Sequence, residues 1–336
     1  MNGCTNMNLK NKDFLKIIDY SSQEINYLID LAIEYKNKKN KRIPHREFEE
    51  YNVALIFEKS STRTRCSFEV AAHDLGMGST YIDSHNSHLG LKESIEDTAK
   101  VLAGIYDGIC YRGFGQEIIE EIAKHATVPV WNGLTDQAHP TQILADLMTM
   151  KEKFGRLQGL KIVYLGDARF NIGNSLLVGA AKMGMDFTVA APKDFFQKQQ
   201  LIKKCKKIAE QTGAKISFEE NVKKAVIDAD VLYTDVWVSM GEPEELWTPR
   251  IEQLAHCQVN QELINLADPD AIFMHCLPAF HDLKTATARE INLKIGIQEM
   301  EVTDQVFRSK QSLVFKQAEN RMHTIKAIMA ATINKY

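Results

Sequence analysis

The sequence predicts an α/β protein built from two doubly wound parallel sheets, and three observations lead to that prediction. Short apolar runs alternate with amphipathic helical segments from about Asn52 onward. A long helical segment then begins at Pro140, and the same alternation restarts after Gly159. Strands separated by helices are typical of parallel sheets that carry helices on their faces. The 336 residues also suffice for two separate apolar cores.

The first half of the chain begins with a helix start signal. Ser21-Ser22-Gln23-Glu24 has the pattern of a capping box, and an apolar face at helical spacing follows from Ile25. The predicted strands of this half are 53–57, 80–82, 108–111 and 128–130. The predicted helices are one whose apolar face carries Phe68, Ala71, Ala72 and Leu75, the segments 93–102 and 116–125, and the long segment 140–154.

The second half repeats this organisation. Its predicted strands are 162–165, 187–190, 215–218, 231–235 and 272–275, with helices such as 175–183 and 201–211 between them, and a final helix covers 318–333. We therefore predict one domain of residues 1–150, completed by the C-terminal segment 318–336, and a second domain of residues 151–317, joined by long helices. Ligands of such sheets bind at the carboxyl ends of strands, so we expect the active site in the cleft between the domains.

Composition excludes several classes of protein. The formal net charge of −3 gives no global attraction for nucleic acid or acidic membranes. No apolar stretch approaches the roughly 20 residues that would span a bilayer, and the polar first residues contain no signal-peptide core. The six cysteines show no CxxC pair and no metal-ligand spacing. We expect free thiols in a reducing cytoplasm and no structural metal.

A polar segment follows the first predicted strand and has the features of an anion site. Ser60-Ser61-Thr62-Arg63-Thr64-Arg65 combines hydroxyl groups, arginines and the free backbone N–H groups of a helix start. The guanidinium fork fits phosphate oxygens. Simple capping by Ser60 or Ser61 is the alternative, but it explains only one of these side chains. The segment is no Walker loop, because the Gly-x-x-x-x-Gly-Lys pattern is missing.

Two further polar groups follow strand ends in the same half. Arg112 comes directly after the predicted strand 108–111, and His139-Pro140-Thr141-Gln142 begins the long helix, with Pro140 suited to the first turn. A single histidine before a helix is more often a structural cap than a catalyst. We expect His139 to act because three strand-end segments can converge on one anion.

Three motifs together resemble the carbamoyltransferase family: Ser61-Thr62-Arg63-Thr64-Arg65, His139-Pro140-Thr141-Gln142 and His275-Cys276-Leu277-Pro278. Their order and spacing are highly specific, and the similarity runs from about Phe14 to the C-terminus. The resemblance implies that the first motif binds the phosphate of carbamoyl phosphate, through Ser61, Thr62, Arg63 and Thr64. It also implies that Arg112 and His139 face the carbonyl oxygen, with Gln142 and Arg321 at the carbamoyl end.

The second half should decide which amine accepts the carbamoyl group. Asp235 follows a predicted buried strand and offers a carboxylate for an ammonium; a glycine turn with a capping aspartate is the alternative. The following Ser239-Met240-Gly241 resembles the ornithine-specific members of the family. That resemblance assigns the amino-acid backbone of ornithine to Asp235, Ser239 and Met240, with Asn171 as a further partner. It places Cys276 and Leu277 beside the reacting δ-amine, although a buried inert cysteine is the simpler interpretation.

Two positions depart from or extend the family pattern. Phe170 stands where close relatives often have a second asparagine, which puts one polar contact to ornithine in doubt. His88 matches a position where relatives show glutamine or histidine. In the family that loop reaches into a neighbouring subunit's site, where it binds carbamoyl phosphate. The resemblance therefore implies a homo-oligomer, a trimer or a multiple of trimers, although a surface histidine is an equally simple interpretation of His88.

We expect a transferase that makes citrulline and phosphate from carbamoyl phosphate and ornithine, in arginine biosynthesis or in the reverse direction in arginine degradation. Arg112, His139 and Cys276 are the predicted catalytic residues, and no metal or redox cofactor is expected. Putrescine is the alternative acceptor, but a putrescine enzyme typically lacks the Ser-Met-Gly pattern. Aspartate would require extra cationic side chains. A dinucleotide-dependent dehydrogenase has too few glycines after Leu165, and a non-catalytic binding protein is the last alternative.

Overall fold

A computed structural model describes residues 7–83, 92–238 and 244–333 of this chain. The chain divides into two compact units, which we call the first unit and the second unit. The first unit comprises Met1–Met150 together with Ala318–Tyr336, and the second unit comprises Lys151–Gln317. Each unit contains its own parallel sheet. The prediction of two parallel α/β units is therefore confirmed.

The first unit contains a four-stranded parallel sheet. Its strands are β1 Asn52–Phe57, β2 Gly78–Asp83, β3 Gly108–Arg112 and β4 Val130–Leu134, in the order β2-β1-β3-β4. The N-terminal segment extends the sheet beside β4, because the Phe14 N–H donates to the Val130 carbonyl and the Phe14 carbonyl accepts from the Asn132 N–H. All four strands run parallel, so their carboxyl ends lie at one edge.

Helices cover this sheet. They are α1 Ser22–Asn40, α2 Thr62–Leu75, α3 Ile95–Ala103, α4 Gln116–His125 and α5 Pro140–Phe154. The capping box predicted at the start of α1 is confirmed: Ser21 accepts from the Glu24 N–H, and the Glu24 side chain accepts from the Ser21 N–H. Apolar side chains of β1, β3 and β4 pack with α3 and α4 in a buried core that includes Ile56, Tyr111 and Ile119.

The second unit contains a five-stranded parallel sheet. Its strands are β5 Lys161–Leu165, β6 Asp186–Ala190, β7 Lys215–Glu219, β8 Val231–Thr234 and β9 Ile272–His275, in the order β7-β6-β5-β8-β9. The chain passes from β5 outward to β7 and then returns to place β8 on the other side of β5. This reversal of strand order creates a crevice at the carboxyl ends of β5 and β8, which is where open parallel sheets bind ligands.

The remaining helices are α6 Asn171–Lys182, α7 Gln199–Thr212, α8 Val222–Ala225, α9 Trp247–Leu254, α10 Gln261–Leu266, α11 Ala286–Ile295, α12 Asp304–Phe307 and α13 Val314–Thr332. The last of these begins in the second unit and ends in the first. Among the described residues, no helix is both long enough and apolar enough to cross a membrane.

Three predicted boundaries are wrong. The fourth strand was expected at 128–130, but β4 covers Val130–Leu134. Helix α6 begins at Asn171 rather than at 175, and α13 begins at Val314 rather than at 318. Helix α6 starts earlier because its first turn contains two asparagines and a glycine, which weaken the apolar helical spacing there.

Candidate active site

The segment after β1 forms the N-terminus of α2. Ser61 is the N-cap, and its side chain accepts a hydrogen bond of 3.2 Å from the Thr64 N–H, so the capping role considered for Ser61 is confirmed. Arg65 turns away from this terminus, since it pairs with Glu69 at 2.9 Å and stacks on the Tyr81 ring. Thr64 and Arg65 therefore lie on different faces of α2.

Thr64 is the centre of a cationic cluster. Its buried hydroxyl oxygen accepts from Arg112 Nη1 at 3.3 Å and from Arg321 Nη2 at 2.6 Å. Arg112 is the last residue of β3 rather than the residue after it, and Arg321 lies on α13, 257 positions from Thr64. Helix α2, strand β3 and helix α13 thus bring their polar groups to one point, which we call the Thr64 cluster.

His139 belongs to the same cluster. It is buried before the first turn of α5, and its Nδ1 lies 3.4 Å from the Thr141 hydroxyl. Burial first, and then the guanidinium groups of Arg321, Arg112 and Arg63, hold the pKa of His139 well below its ordinary value. The imidazole is therefore neutral at physiological pH. Sequence reasoning predicted that these four side chains would converge, and the structure places them together.

Gly133 allows the cluster to pack closely, and sequence reasoning missed it. A Cβ atom at Gly133 would lie 3.2 Å from Arg112 Cβ, 3.3 Å from Cys110 Sγ and 3.3 Å from Thr64 Cγ2. Such distances are tighter than ordinary carbon contacts. Burial raises the pKa of the Cys110 thiol, so this cysteine is a neutral packing group. The missed signal was the glycine inside an otherwise apolar strand pattern.

Gln142 lies one turn into α5 from His139. Its side chain is buried, and Nε2 donates to Asp146 Oδ1 at 2.8 Å. Its Oε1 is buried without a hydrogen-bond partner among the described residues. A buried amide oxygen with an open lone pair can accept a hydrogen bond from a small ligand.

In the second unit, Asp235 and Cys276 follow the neighbouring strands β8 and β9. Thr234 pairs with His275 in register, so the next residue of each strand lies at the same sheet edge. The Cys276 thiol donates to Asp235 Oδ1 at 3.0 Å, and the Val236 N–H donates to the same oxygen at 2.8 Å. Burial raises the pKa of Asp235 above its ordinary value, although both hydrogen bonds oppose that shift. The pair offers a carboxylate and a thiol to a ligand at this edge.

The segment after β9 is fixed by two buried groups that sequence reasoning did not assign. The Leu277 N–H donates to His275 Nδ1 at 2.9 Å, and the other ring nitrogen, Nε2, lies 3.2 Å from Glu301 Oε1. Glu301 also accepts from the Phe280 N–H at 2.7 Å. Leu277 has a φ of 57°, a left-handed conformation that is uncommon for leucine. No local sequence pattern marks Glu301.

The loop after β5 is held by an ion pair. Asp167 accepts from Arg169 Nε at 2.8 Å and from Arg169 Nη2 at 2.6 Å. The buried Tyr164 hydroxyl donates to the Asp167 carbonyl, and the nearby carboxylates of Asp235 and Asp167 add to the effect of burial in raising the pKa of Tyr164. The phenol therefore lies near both strand ends.

Asn171, a predicted ornithine contact, is the first residue of α6 and follows this loop directly. The preceding Phe170 is exposed, with the Arg169 and Arg250 guanidinium groups near its ring. Phe170 occupies the N-cap position of α6 without a side-chain cap hydrogen bond, where an asparagine would have capped the helix. The predicted residues His88, Ser239 and Met240 lie outside the described residues.

Two groups of side chains have the donor geometry of a cation site. Asp235, His275 and Cys276 carry ligand atoms within 4.8 Å of one another, and so do His281, Asp282 and Asp304. Asp304 already binds Arg308 through both carboxylate oxygens. His275 Nδ1 already accepts from a backbone N–H, so the neutral ring carries its proton on Nε2, beside Glu301, and neither nitrogen offers a lone pair to an ion.

The class of protein follows from this fold and site together with family comparisons. Residues 12–152 match the family model described as "Aspartate/ornithine carbamoyltransferase, carbamoyl-P binding domain". Residues 158–332 match the model described as "Aspartate/ornithine carbamoyltransferase, Asp/Orn binding domain". The chain belongs to the aspartate/ornithine carbamoyltransferase family.

Individual members of this family that are similar to the chain are ornithine carbamoyltransferases. The chain is 57% identical over 326 residues to "Ornithine carbamoyltransferase, catabolic" of Treponema denticola, covering 97% of this chain and 96% of the relative. The solved ornithine carbamoyltransferase of Pyrococcus furiosus superposes with a TM-score of 0.89 at 40% identity, covering 97% of this chain and 98% of that one. The anabolic ornithine carbamoyltransferase of Campylobacter jejuni gives a TM-score of 0.84 at 33% identity, with 95% and 98% covered.

Proposed function

We propose that this chain transfers the carbamoyl group of carbamoyl phosphate to the δ-amine of ornithine, which produces citrulline and phosphate. One observation carries the proposal: Arg112 and Arg321 both donate to Thr64 at the N-terminus of α2, and their charges and that of Arg63 act on the neutral, buried His139. That arrangement is suited to an anion with a polarisable carbonyl group. The near full-length identity of 57% to an ornithine carbamoyltransferase supports the same reaction.

The first unit is the proposed carbamoyl-phosphate-binding domain. The phosphate binds the N-terminal N–H groups of α2 and the side chains of Ser61, Thr62, Arg63 and Thr64, where the helix dipole and a guanidinium favour negative charge. Arg112 and His139 face the carbonyl oxygen. Gln142 and Arg321 complete the carbamoyl end; the open oxygen of Gln142 suits the carbamoyl NH₂ group.

Charge develops on the carbonyl oxygen when the amine attacks the carbonyl carbon. Arg112 and the neutral imidazole of His139 stabilise that charge as preorganised donors, each contributing on the order of 3 kcal/mol. The lowered pKa of His139 suits this role, because a neutral ring can donate a hydrogen bond without titrating near pH 7. The C–O bond to phosphate then breaks, and a phosphate oxygen takes the proton that the amine loses.

The second unit is the proposed ornithine-binding domain. Asp235, Ser239 and Met240 hold the amino-acid backbone of ornithine, and Asn171 adds a polar contact. Cys276 and Leu277 flank the δ-amine. The 3.0 Å bond between Cys276 and Asp235 supports this assignment, because it keeps a thiol and a carboxylate within reach of one small molecule. A free δ-amine has a pKa near 10.4, so partial desolvation is needed to supply the neutral nucleophile.

The proposal also covers the metabolic direction of the reaction, the oligomeric state of the protein and its cellular compartment. We infer that the chain works in arginine degradation, because the 57% identical relative is described as catabolic. We further infer a homotrimer or a multiple of trimers in the cytoplasm, with His88 completing the carbamoyl-phosphate site of a neighbouring subunit. Analytical ultracentrifugation of the purified chain tests the assembly, and a monomer with full activity would contradict the role of His88.

Measuring carbamoyl transfer to three acceptors tests the reaction itself. Purified protein is given carbamoyl phosphate with ornithine, putrescine or aspartate at equal concentration. We expect kcat/KM for ornithine to exceed that for either competitor by at least about 10²-fold, because putrescine lacks the α-carboxylate of ornithine and aspartate lacks its δ-amine, and each loss leaves polar groups of the site unpaired. Equal turnover of putrescine, or no turnover of ornithine, would contradict the proposal.

A further inference from the structure

A second cationic cavity lies in the first unit, at the opposite end of α2 from the Thr64 cluster. It has a volume of about 240 Å³ and is formed by the last turn of α1, the loop 42–46 and the last turn of α2. We propose that this cavity, which we call the basic pocket, binds a phosphate-type oxyanion of at least two negative charges. Helix α2 has 14 residues and is roughly 21 Å long, so the basic pocket is a separate site.

The floor of the basic pocket holds one carboxylate between two ammonium groups. Asp74 Oδ2 accepts from Lys39 Nζ at 2.6 Å and from the fully buried Lys326 Nζ at 2.6 Å. Lys326 also donates to His45 Nε2 at 2.8 Å, while His45 Nδ1 donates to the Ile43 carbonyl at 2.9 Å. His45 is therefore neutral in this arrangement. The floor carries one positive charge more than Asp74 neutralises.

The rim of the basic pocket adds more positive charge. Arg46 is balanced by Glu49 at 3.0 Å. Arg42 and His73 also line the cavity, and within the described part of the chain neither side chain forms a hydrogen bond or an ion pair. Arg42 raises the surplus to two positive charges, and His73 adds another when it is protonated. A dianion would neutralise this surplus.

Helix capping accounts for Arg46, whose Nη1 donates to the His73 carbonyl at 3.5 Å, but not for Arg42 or His73. The carbonyl groups at the end of α2 accept from the backbone N–H groups of Gly76 and Met77. Those at the end of α1 accept from the backbone N–H groups of Lys41, Arg42 and Ile43. Both helix ends are thus closed by the backbone. The side chains of Arg42 and His73 remain available to a ligand.

The electrostatics of neighbouring groups agree with a positive local potential. Burial lowers the pKa of Lys326, and the nearby Lys39 lowers it further. Burial, followed by the charges of Lys326, Lys36 and Lys39, lowers the pKa of His323 to about 3. A bound oxyanion would offset this crowding of like charges.

The volume of the basic pocket limits the class of ligand, and its place in the fold connects it to the Thr64 cluster. Pockets for drug-sized molecules usually exceed about 300 Å³, so the basic pocket suits a compact ion or a single phosphoryl group. Asp74 lies on α2, which carries Thr64, and Lys326 lies five positions after Arg321 on α13. An oxyanion here would therefore contact α2 and lie beside Asp74, which bonds to Lys326 of α13.

Calorimetric titration of the full chain with inorganic pyrophosphate, in about 0.15 M salt to screen non-specific attraction, tests the proposal. The titration is made in an Arg63→Ala background, which weakens the Thr64 cluster. We expect binding to persist in that background and to fall about tenfold or more when Arg42→Gln is added, as loss of a charge-assisted contact predicts. Lys41→Gln is the matched control, since Lys41 is an exposed neighbour outside the cavity lining, and it should change affinity less than twofold.

Three results would overturn the basic pocket: no binding in the Arg63→Ala background, equal loss with Arg42→Gln and Lys41→Gln, or unchanged affinity with Arg42→Gln. A parallel titration with a nucleoside 5′-monophosphate distinguishes two sources of the phosphoryl group. Binding of both probes indicates recognition of the phosphoryl group whatever carries it. Binding of pyrophosphate alone indicates a free ion as the ligand. Neither outcome depends on the transfer reaction, so the proposed function and this site fail separately.

Discussion

The Thr64 cluster of the first unit and the Asp235–Cys276 pair of the second have opposite electrostatic construction. The first holds two guanidinium groups against a hydroxyl, beside a neutral imidazole on which three guanidinium charges act. The second presents a carboxylate bonded to a thiol, with the carboxylate of Glu301 near His275 behind it. Because each arrangement attracts the charge it lacks, the difference indicates an anionic ligand for one unit and a cationic amino group for the other.

The two regions also differ in how the chain assembles them. Asp235 and Cys276 follow adjacent strands in register, so strand pairing alone brings them together. The Thr64 cluster requires α13 to return to the first sheet, across 257 positions. A site built by strand pairing tolerates changes around it, whereas a site that depends on distant helices is sensitive to packing beneath it.

Removing Arg112 should have the largest effect of any single change. Arg112→Ala should lower kcat by about 10²–10³-fold, because it deletes a donor to the developing oxyanion. Steady-state kinetics measures the change, and circular dichroism checks that the fold is intact. Activity within tenfold of the wild type would remove Arg112 from the mechanism.

Asp235→Asn tests whether the second region binds the amine. The substitution keeps shape and removes charge, so KM for ornithine should rise about 10–100-fold, as loss of a charge-assisted hydrogen bond predicts. KM for carbamoyl phosphate should change less than about twofold. Equal changes in both values would show that the two regions do not divide the substrates.

Arg63 and Arg65 form a matched pair two positions apart. Arg63→Ala should raise KM for carbamoyl phosphate about tenfold or more, because it removes a cation from the Thr64 cluster. Arg65→Ala should leave that KM within about twofold, since Arg65 pairs with Glu69 on the other face of α2. A larger rise in this KM for Arg65→Ala than for Arg63→Ala would contradict the prediction, because it would place the phosphate on the face of α2 that carries Arg65.

Gly133→Ala tests the packing beneath the Thr64 cluster. The added methyl group would press on Thr64, Arg112 and Cys110, so the free energy of unfolding should fall by about 1–3 kcal/mol. Gly104→Ala is the control, because its nearest contacts would lie at 3.5 Å or more. Urea denaturation measures both variants, and equal stability of the two would contradict the close approach at Gly133.

Acid should destabilise the first unit through His323. Its folded pKa of about 3 lies below the ordinary value of 6.5, so the unfolded chain binds the proton more readily between those values. Stability is therefore lost as pH falls below 6.5, by about 2 kcal/mol at pH 5 from this residue. His323→Asn should remove that part of the pH dependence. Parallel curves for wild type and variant between pH 6.5 and 5 would refute it.

Local sequence patterns predicted most of the fold and the converging side chains, and β4 shows where they fail. The predicted strand ended at Val130, and the following Asn132-Gly133 is a typical turn dipeptide. In the structure both residues lie inside β4. Asn132 Nδ2 donates to the Leu15 carbonyl at 2.9 Å, and Gly133 admits the Thr64 cluster. These contacts are long-range, and no local pattern encodes them.

The same limit applies to the second unit. Asp235 was predicted because it follows a buried strand that periodicity can locate, whereas Cys276 was predicted from the resemblance to the carbamoyltransferase family. His275 and Glu301 support them through buried contacts between segments 26 positions apart, which a single sequence does not reveal. The proposed ligand contacts were therefore easier to predict than the residues that position them.

A crystal structure of the protein with carbamoyl phosphate bound tests the central claim most directly. We expect the phosphoryl oxygens to lie against the N-terminal N–H groups of α2 and the Arg63 guanidinium. We expect the carbonyl oxygen within hydrogen-bond distance of Arg112 and His139. Density for the phosphoryl group anywhere else, with the Thr64 cluster empty at saturating carbamoyl phosphate, would contradict it.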